Sequence, residues 1–246
     1  MRVNYENLTL CDLALSSTMY TSLTPFNASL RYLKSVTGNS IDLNDTAHRA
    51  SLVKWLNDWG CRHLAEKQHE TTSTAILDWY RQAGTRLLQK TKAIWDLDDH
   101  DLSGAAGAYG SLKDRTAARR YRGAKTSDIH IGPTAASKIL FAIRPEALMP
   151  WDEAMRIGFG CDGSPESYLK FLQDIQRLAW KIRDLCNVRG FDISELPQQI
   201  DQPGSTVLEL INEYIWITVT RNCTLPPAST LARWADWGSS TDRDRK

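Results

Sequence analysis

Residues 129–156 read IHIGPTAASKILFAIRPEALMPWDEAMR, and this stretch decides the prediction of fold and function. Its small and apolar residues predict a helix from Thr134 to about Arg144, where the following proline disfavours continuation. The turn before this helix ends in Gly132. The first turn of a helix carries N–H groups without intrahelical partners, so such a turn can bind a phosphate oxygen. After PEALMP, a second helix is predicted to begin at Asp152.

The same stretch resembles the helix-hairpin-helix superfamily of DNA glycosylases, which includes endonuclease III and the adenine glycosylases. In that family a hairpin of the form L-P-G-x-G precedes a helix, and a catalytic aspartate follows 20 residues after the second glycine. Gly132 stands for that glycine and Asp152, 20 positions later, for the aspartate. Ala135 and Ala136 stand where the family commonly has Thr-Ala. The chain departs from the pattern at His130, which replaces the first glycine, and it lacks the C-terminal four-cysteine cluster.

The resemblance implies a DNA glycosylase that hydrolyses the N-glycosidic bond of a damaged or modified base, phage-hypermodified bases included. Asp152 would stabilise the cationic sugar of the transition state, and the base would be flipped out of the duplex. The turn around His130, Gly132, Thr134 and Ala135 would bind the DNA backbone, with a monovalent cation on the hairpin carbonyls. The catalytic lysine of bifunctional members would stand at Thr134. The resemblance therefore implies a monofunctional enzyme that leaves an abasic site.

Further candidate DNA contacts come from a basic stretch at 113–125, KDRTAARRYRGAK, directly before the turn. Phosphate contacts and a solvated helix face are equally compatible with it. The residues predicted to contact DNA here are Arg119, Arg120, Arg122 and Lys125. Lys138 is a further candidate, with a solvated surface lysine as its alternative. The predicted base pocket consists of Tyr109, Tyr121 and Trp151, each of which could instead belong to the core.

Helical periodicity runs through most of the chain and predicts an all-α fold of two helical lobes with a DNA-binding cleft between them. One lobe covers 45–150 and ends in the hairpin; the other combines 1–44 with 151–237. The residues 238–246 are polar and are predicted to form a disordered tail. Individual helices are predicted near 45–59, 73–96, 105–121, 164–190 and 205–220, and the end of the last segment, IWITVT, also has strand propensity.

Composition restricts the function classes. The 246 residues carry a net charge of +1, so a signal for nucleic acid must be local. The five cysteines contain no CxxC pair, the histidines lack metal-ligand spacing, and no metal or cofactor is predicted apart from the monovalent cation. No secretory signal or membrane span is evident. We expect a cytoplasmic, nucleoid-associated monomer that binds double-stranded DNA.

Two other functions remain open at this stage. The altered hairpin IHIG is compatible with a non-catalytic helix-hairpin-helix protein that binds DNA without chemistry. The near-neutral charge is compatible with a helical interaction protein in which the motif arises by chance. For Asp152 the alternative is a helix N-cap, a common position for aspartate. The sequence does not identify the base or separate DNA repair from antiviral defence.

Overall fold

The computed structural model describes residues 5–84, 92–122 and 125–239, and this part of the chain is mostly helical, as predicted. It contains one two-stranded antiparallel sheet, formed by β1 (Thr116–Arg122) and β2 (Lys125–His130). The helices in chain order are α1 (Leu10–Leu23), α2 (Phe26–Val36), α3 (Thr46–Asp58), α4 (His69–Trp79), α5 (Asp99–Lys113), α6 (Gly132–Ile143), α7 (Glu153–Gly158), α8 (Pro165–Val188), α9 (Leu196–Gln199), α10 (Val207–Ile215) and α11 (Ala228–Ser239). Single π-helical turns extend α4 at Tyr80–Gly84 and α10 at Trp216–Thr220.

Several helix boundaries follow from local chemistry and confirm the sequence prediction. The Asp45 side chain caps α3 by accepting from the N–H groups of Ala47 and His48 at 2.7 and 3.0 Å. Ser164 caps α8, which has a proline in its first turn. The chain leaves α8 through Gly190, whose φ of +83° favours glycine.

The predicted helix 105–121 is wrong in its second half. Helix α5 ends at Lys113, and the basic stretch after it forms the β1–β2 hairpin, with Arg119 opposite Asp128 and Arg120 opposite Ser127. The residues of this stretch tolerate a helix, but β1 pairs with β2 and packs against α4. The packing of β1 against α4, which is distant in sequence, leaves no trace in helical periodicity. The predicted helix 73–96 is also shortened, and 85–91 lie outside the described residues.

One hydrophobic core runs through the described residues, from Leu8 to Ile215. Helix α1 packs against α10, α5 packs against both α6 and α8, and α3 also contacts α6. The predicted division into lobes at 45–150 and at 1–44 with 151–237 stays a prediction. Helix α11 extends to Ser239, two residues into the predicted tail, and 240–246 lie outside the described residues. None of the described helices is both long and apolar enough to cross a membrane.

Candidate active site

The turn at Gly132 is built to leave two backbone donors free. Gly132 has φ +77°, a conformation that glycine adopts without strain. The N–H of Ile131 donates to the Arg115 carbonyl at 2.9 Å, and Pro133 has no N–H. Helical geometry then leaves the N–H groups of Gly132 and Thr134 without intrahelical partners, whereas that of the next residue bonds inside the helix. The N–H groups of Gly132 and Thr134 are among the amides predicted to contact phosphate, and that contact stays a prediction.

The structure before the turn differs from the family pattern. Strand β2, not a helix, leads into Gly132, so the helix-hairpin-helix motif is not reproduced here. His130 ends this strand with ordinary negative φ, and its Nδ1 donates to the Asp114 carbonyl at 3.0 Å. The Ile131 carbonyl accepts from Nε2 of His63 at 2.9 Å. One hydrogen bond leaves that carbonyl a second lone pair, and the monovalent cation on the hairpin carbonyls stays a prediction.

Trp151 connects the turn to Asp152. Its backbone N–H donates to Ser137 Oγ at 3.1 Å, and its indole Nε1 donates to the Pro133 carbonyl at 3.2 Å. The ring is fully buried and packs edge-on against Tyr109. Both bonds reach α6, so the segment that carries Asp152 is fixed to the same helix whose first turn carries the free amides.

Asp152 is the N-cap of α7 and is half-buried. One carboxylate oxygen, Oδ1, accepts from the Met155 N–H at 2.7 Å. The other, Oδ2, accepts from the Thr220 hydroxyl at 3.0 Å. An ionised carboxylate offers about four lone pairs, so these two bonds leave capacity for a further partner. Asp152 is therefore a helix N-cap, as the alternative prediction stated. Its carboxylate can still accept further hydrogen bonds.

Asp152, Gly132, Thr134 and His130 all line one cavity of about 610 Å³. This volume lies within the usual range for small-molecule sites. Trp151, predicted for the base pocket, is among the lining residues. Four further aromatic residues line the cavity and were not predicted: Tyr20, Phe26, Trp59 and Trp216. Phe26 and Trp216 meet edge to face with ring centroids 6.3 Å apart. These residues come from three separate stretches of sequence, which periodicity cannot bring together.

Lys138 also lines the cavity. It is 8% exposed, so the alternative of a solvated surface lysine is wrong, and its contact with DNA stays a prediction. Its ammonium donates to the Trp59 carbonyl and lies 5.5 Å from the centroid of that ring. Burial lowers the pKa of Lys138, while Cys61 and Asp152 act in the opposite direction.

Buried acids lie behind the aromatic wall. Glu213 is 2% exposed, and its Oε1 accepts from the Asn27 amide at 2.8 Å. Burial raises the pKa of Glu213 to about 7. Burial, followed by the charge of Glu213, also raises the pKa of Tyr20, which lines the cavity. The neighbouring Glu209 pairs with Lys34 at 2.6 Å.

The other predicted site residues are spread out. Arg119 and Arg120 are exposed on β1. Tyr109 is fully buried, donates to the Gly163 carbonyl at 2.8 Å and is not part of the cavity wall. It belongs to the core, which was the alternative to its predicted place in the base pocket, and its ring stacks on Tyr168. The backbone positions of Tyr121, Arg122 and Lys125 lie in the hairpin, and their side chains are outside the described part of the structure.

Among the described residues, no three His, Cys, Asp or Glu side chains cluster as a metal site would require. Comparison of the chain with protein-family models, with curated proteins and with solved structures found no match. Residues 129–156 and the cavity that they help to form are therefore the features that point to a function.

Proposed function

We propose that this protein is a DNA glycosylase that hydrolyses the bond between a modified base and its deoxyribose, with Asp152 as the catalytic carboxylate. The observation that carries the proposal is the shared cavity: Asp152, the free amides at Gly132 and Thr134, and an aromatic wall line the same space. An extruded nucleotide requires hydrogen-bond donors for its phosphate, a negative charge for its sugar and aromatic surfaces on which its base can stack.

The aromatic wall would receive the base. Tyr20, Phe26, Trp59 and Trp216 offer ring faces and edges on which an unstacked base can be held, and such stacking is worth about 1–3 kcal/mol per base. This gain offsets part of the cost of removing the base from the duplex.

The free N–H groups at Gly132 and Thr134 would hold the phosphate next to the extruded nucleotide, since a helix N-terminus favours negative charge. Trp151 keeps these donors and Asp152 on one rigid unit. The sugar would then be located between the phosphate site and the carboxylate.

Asp152 would act on the sugar as the glycosidic bond breaks. Positive charge develops on the ring in the transition state, and a fixed carboxylate stabilises it more than the neutral ground state. The same group can orient or deprotonate the attacking water. The Thr220 hydroxyl holds Oδ2 and thereby fixes the carboxylate orientation.

We further propose that the enzyme is monofunctional. Thr134 stands at the position of the family lysine, and the ammonium of Lys138 is bonded to the Trp59 carbonyl. Reduction with borohydride in the presence of DNA containing an abasic site should then trap no covalent complex. A trapped complex that is absent with Lys138→Met would contradict this proposal.

The test of catalysis uses Asp152→Asn on duplexes that bear deaminated, alkylated, oxidised and hypermodified bases, with alkali cleavage as readout. Asparagine caps a helix about as well as aspartate, so this variant should keep its melting temperature while losing the charge. We expect at least a hundredfold loss of base release, on the scale of a lost electrostatic stabiliser. Full activity of the variant on a working substrate would remove Asp152 from the mechanism.

A second candidate is a non-catalytic DNA-binding protein. The capping role of Asp152 favours it, because a cap alone explains an aspartate at this position. DNA binding that weakens with salt, without base release from any member of the panel, would favour this candidate over the enzyme.

A further inference from the structure

A second concave surface, here called the basic groove, lies beside the cavity. It encloses about 400 Å³, and none of the described residues that line it carries a carboxylate. Its lining residues are Arg62, His63, Ala65, Lys67, Gln68, Arg119 and Arg120. Arg62, Lys67, Arg119 and Arg120 are exposed. A chain of net charge +1 therefore concentrates four positive side chains in one place.

Two separate stretches of sequence build this groove. Arg62 and Lys67 come from the segment between α3 and α4, and Arg119 and Arg120 come from β1. The strand is held against α4, where the Thr72 hydroxyl donates to the Ala117 carbonyl at 3.5 Å. The two arginines of the hairpin are thus fixed opposite the basic side chains of the loop.

The charge of the groove is little neutralised. Arg119 pairs with Asp128 across the hairpin at 3.2 Å, but both side chains are largely exposed, and such pairs are weak. Within the described residues, Arg62, Lys67 and Arg120 form no ion pair. An open groove with several unneutralised guanidinium groups suits a polyanion that presents successive phosphates.

His63 connects the groove to the cavity, because it lines both. Its ring donates to the Ile131 carbonyl directly beside the Gly132 turn. The groove is therefore the adjoining surface for the neighbouring phosphates of a strand that places one nucleotide in the cavity.

We propose that the basic groove binds the phosphodiester backbone of DNA next to the extruded nucleotide, as a second phosphate site besides the Gly132 turn. This inference rests on the proposed function for the occupant of the cavity. The binding element is the β1–β2 hairpin together with the α3–α4 loop, and neither belongs to the glycosylase pattern found in residues 129–156.

The test measures the affinity of the full chain for a fluorescent duplex with a stable abasic analogue, at a series of salt concentrations. Each phosphate contact on duplex DNA contributes about 0.9 to the slope of log K against log salt. The pairs Arg62→Ala with Lys67→Ala, and Arg119→Ala with Arg120→Ala, should each reduce the slope by up to about 1.8. Lysine at both hairpin positions should restore most of it, because the charge is kept.

The matched control removes Lys170 and Arg189, two exposed charges on and just after α8, outside the groove. It should leave the slope unchanged. Asp128→Asn should have the opposite effect to the alanine pairs and tighten binding, because it frees Arg119 from its partner.

The outcomes separate the two proposals. If the groove pairs change the slope no more than the control pair, the groove is not a phosphate site, even when DNA binding and base release persist. If the wild-type chain fails to bind DNA at low salt, the proposed function itself is wrong. Binding that depends on the groove without base release supports the groove and the non-catalytic candidate together.

Discussion

The carboxyl of Glu213 should make the protein less stable as pH rises through neutrality. Burial raises its pKa to about 7 from an ordinary value of 4.5. Between these two values the folded state holds a proton that the unfolded state has released. Stability contributed by this proton is fully present below pH 4.5 and is lost as pH rises through 7.

The magnitude follows from the pKa difference. About 2.5 units at 1.36 kcal/mol each give roughly 3 kcal/mol that is lost above pH 7. Glu213→Gln removes the charge and keeps an oxygen for the Asn27 amide. Relative to wild type it should be near neutral at pH 4.5 and more stable by up to about 3 kcal/mol at pH 8, or roughly 6–12 °C in melting temperature.

The assay is thermal unfolding of both proteins from pH 4.5 to 8.5, followed by circular dichroism. Burial also raises the pKa of the neighbouring Glu209 and of Glu146, so the difference between the two proteins, not either curve alone, isolates Glu213. Glu166→Gln, which removes an exposed carboxyl in the first turn of α8, is the control. A difference in melting temperature between Glu213→Gln and wild type that stays constant across this range would refute the reasoning.

Three further substitutions test the site and its support. Gly132→Ala and Gly190→Ala both force alanine to positive φ and should each cost about 1–2 kcal/mol in unfolding, but only Gly132→Ala should weaken DNA binding; equal affinities would contradict the role of the turn. Thr220→Val removes the hydrogen bond to Asp152 and should lower single-turnover base release about fivefold, and an unchanged rate would show that the bond does not position the carboxylate. Gly110→Ala places a methyl 2.7 Å from a proline of α8 and should cost about 1–3 kcal/mol in unfolding without changing DNA affinity, so a neutral variant contradicts tight packing there.

Sequence reasoning succeeded where local chemistry decides the outcome. The caps at Asp45 and Ser164 and the glycine at Gly132 follow from hydrogen bonding and backbone freedom, which act over a few residues. The same reasoning placed Asp152 at a helix start.

It failed where distant segments meet. The basic stretch forms a strand because β1 pairs with β2 and packs against α4. The residues of the stretch alone do not favour a strand over a helix. The interpretation of Lys138 as a surface lysine is wrong because its ammonium is buried against the carbonyl of Trp59, 79 positions away in the sequence. Arg62, His63 and Lys67 were missed for the same reason, since only the folded chain brings them beside β1.

The two bonds of Trp151 have a consequence for how binding preference can change. The backbone amide and the indole of Trp151 are both hydrogen-bonded to α6. Asp152 and the amide donors at the start of α6 are therefore held together and cannot easily move independently. The rings of α1, α2 and the π-helical turn after α10 belong to other parts of the chain. Substitutions of these rings can change the shape of the cavity, and with it the ligand that fits, while Asp152 and the amide donors keep their geometry.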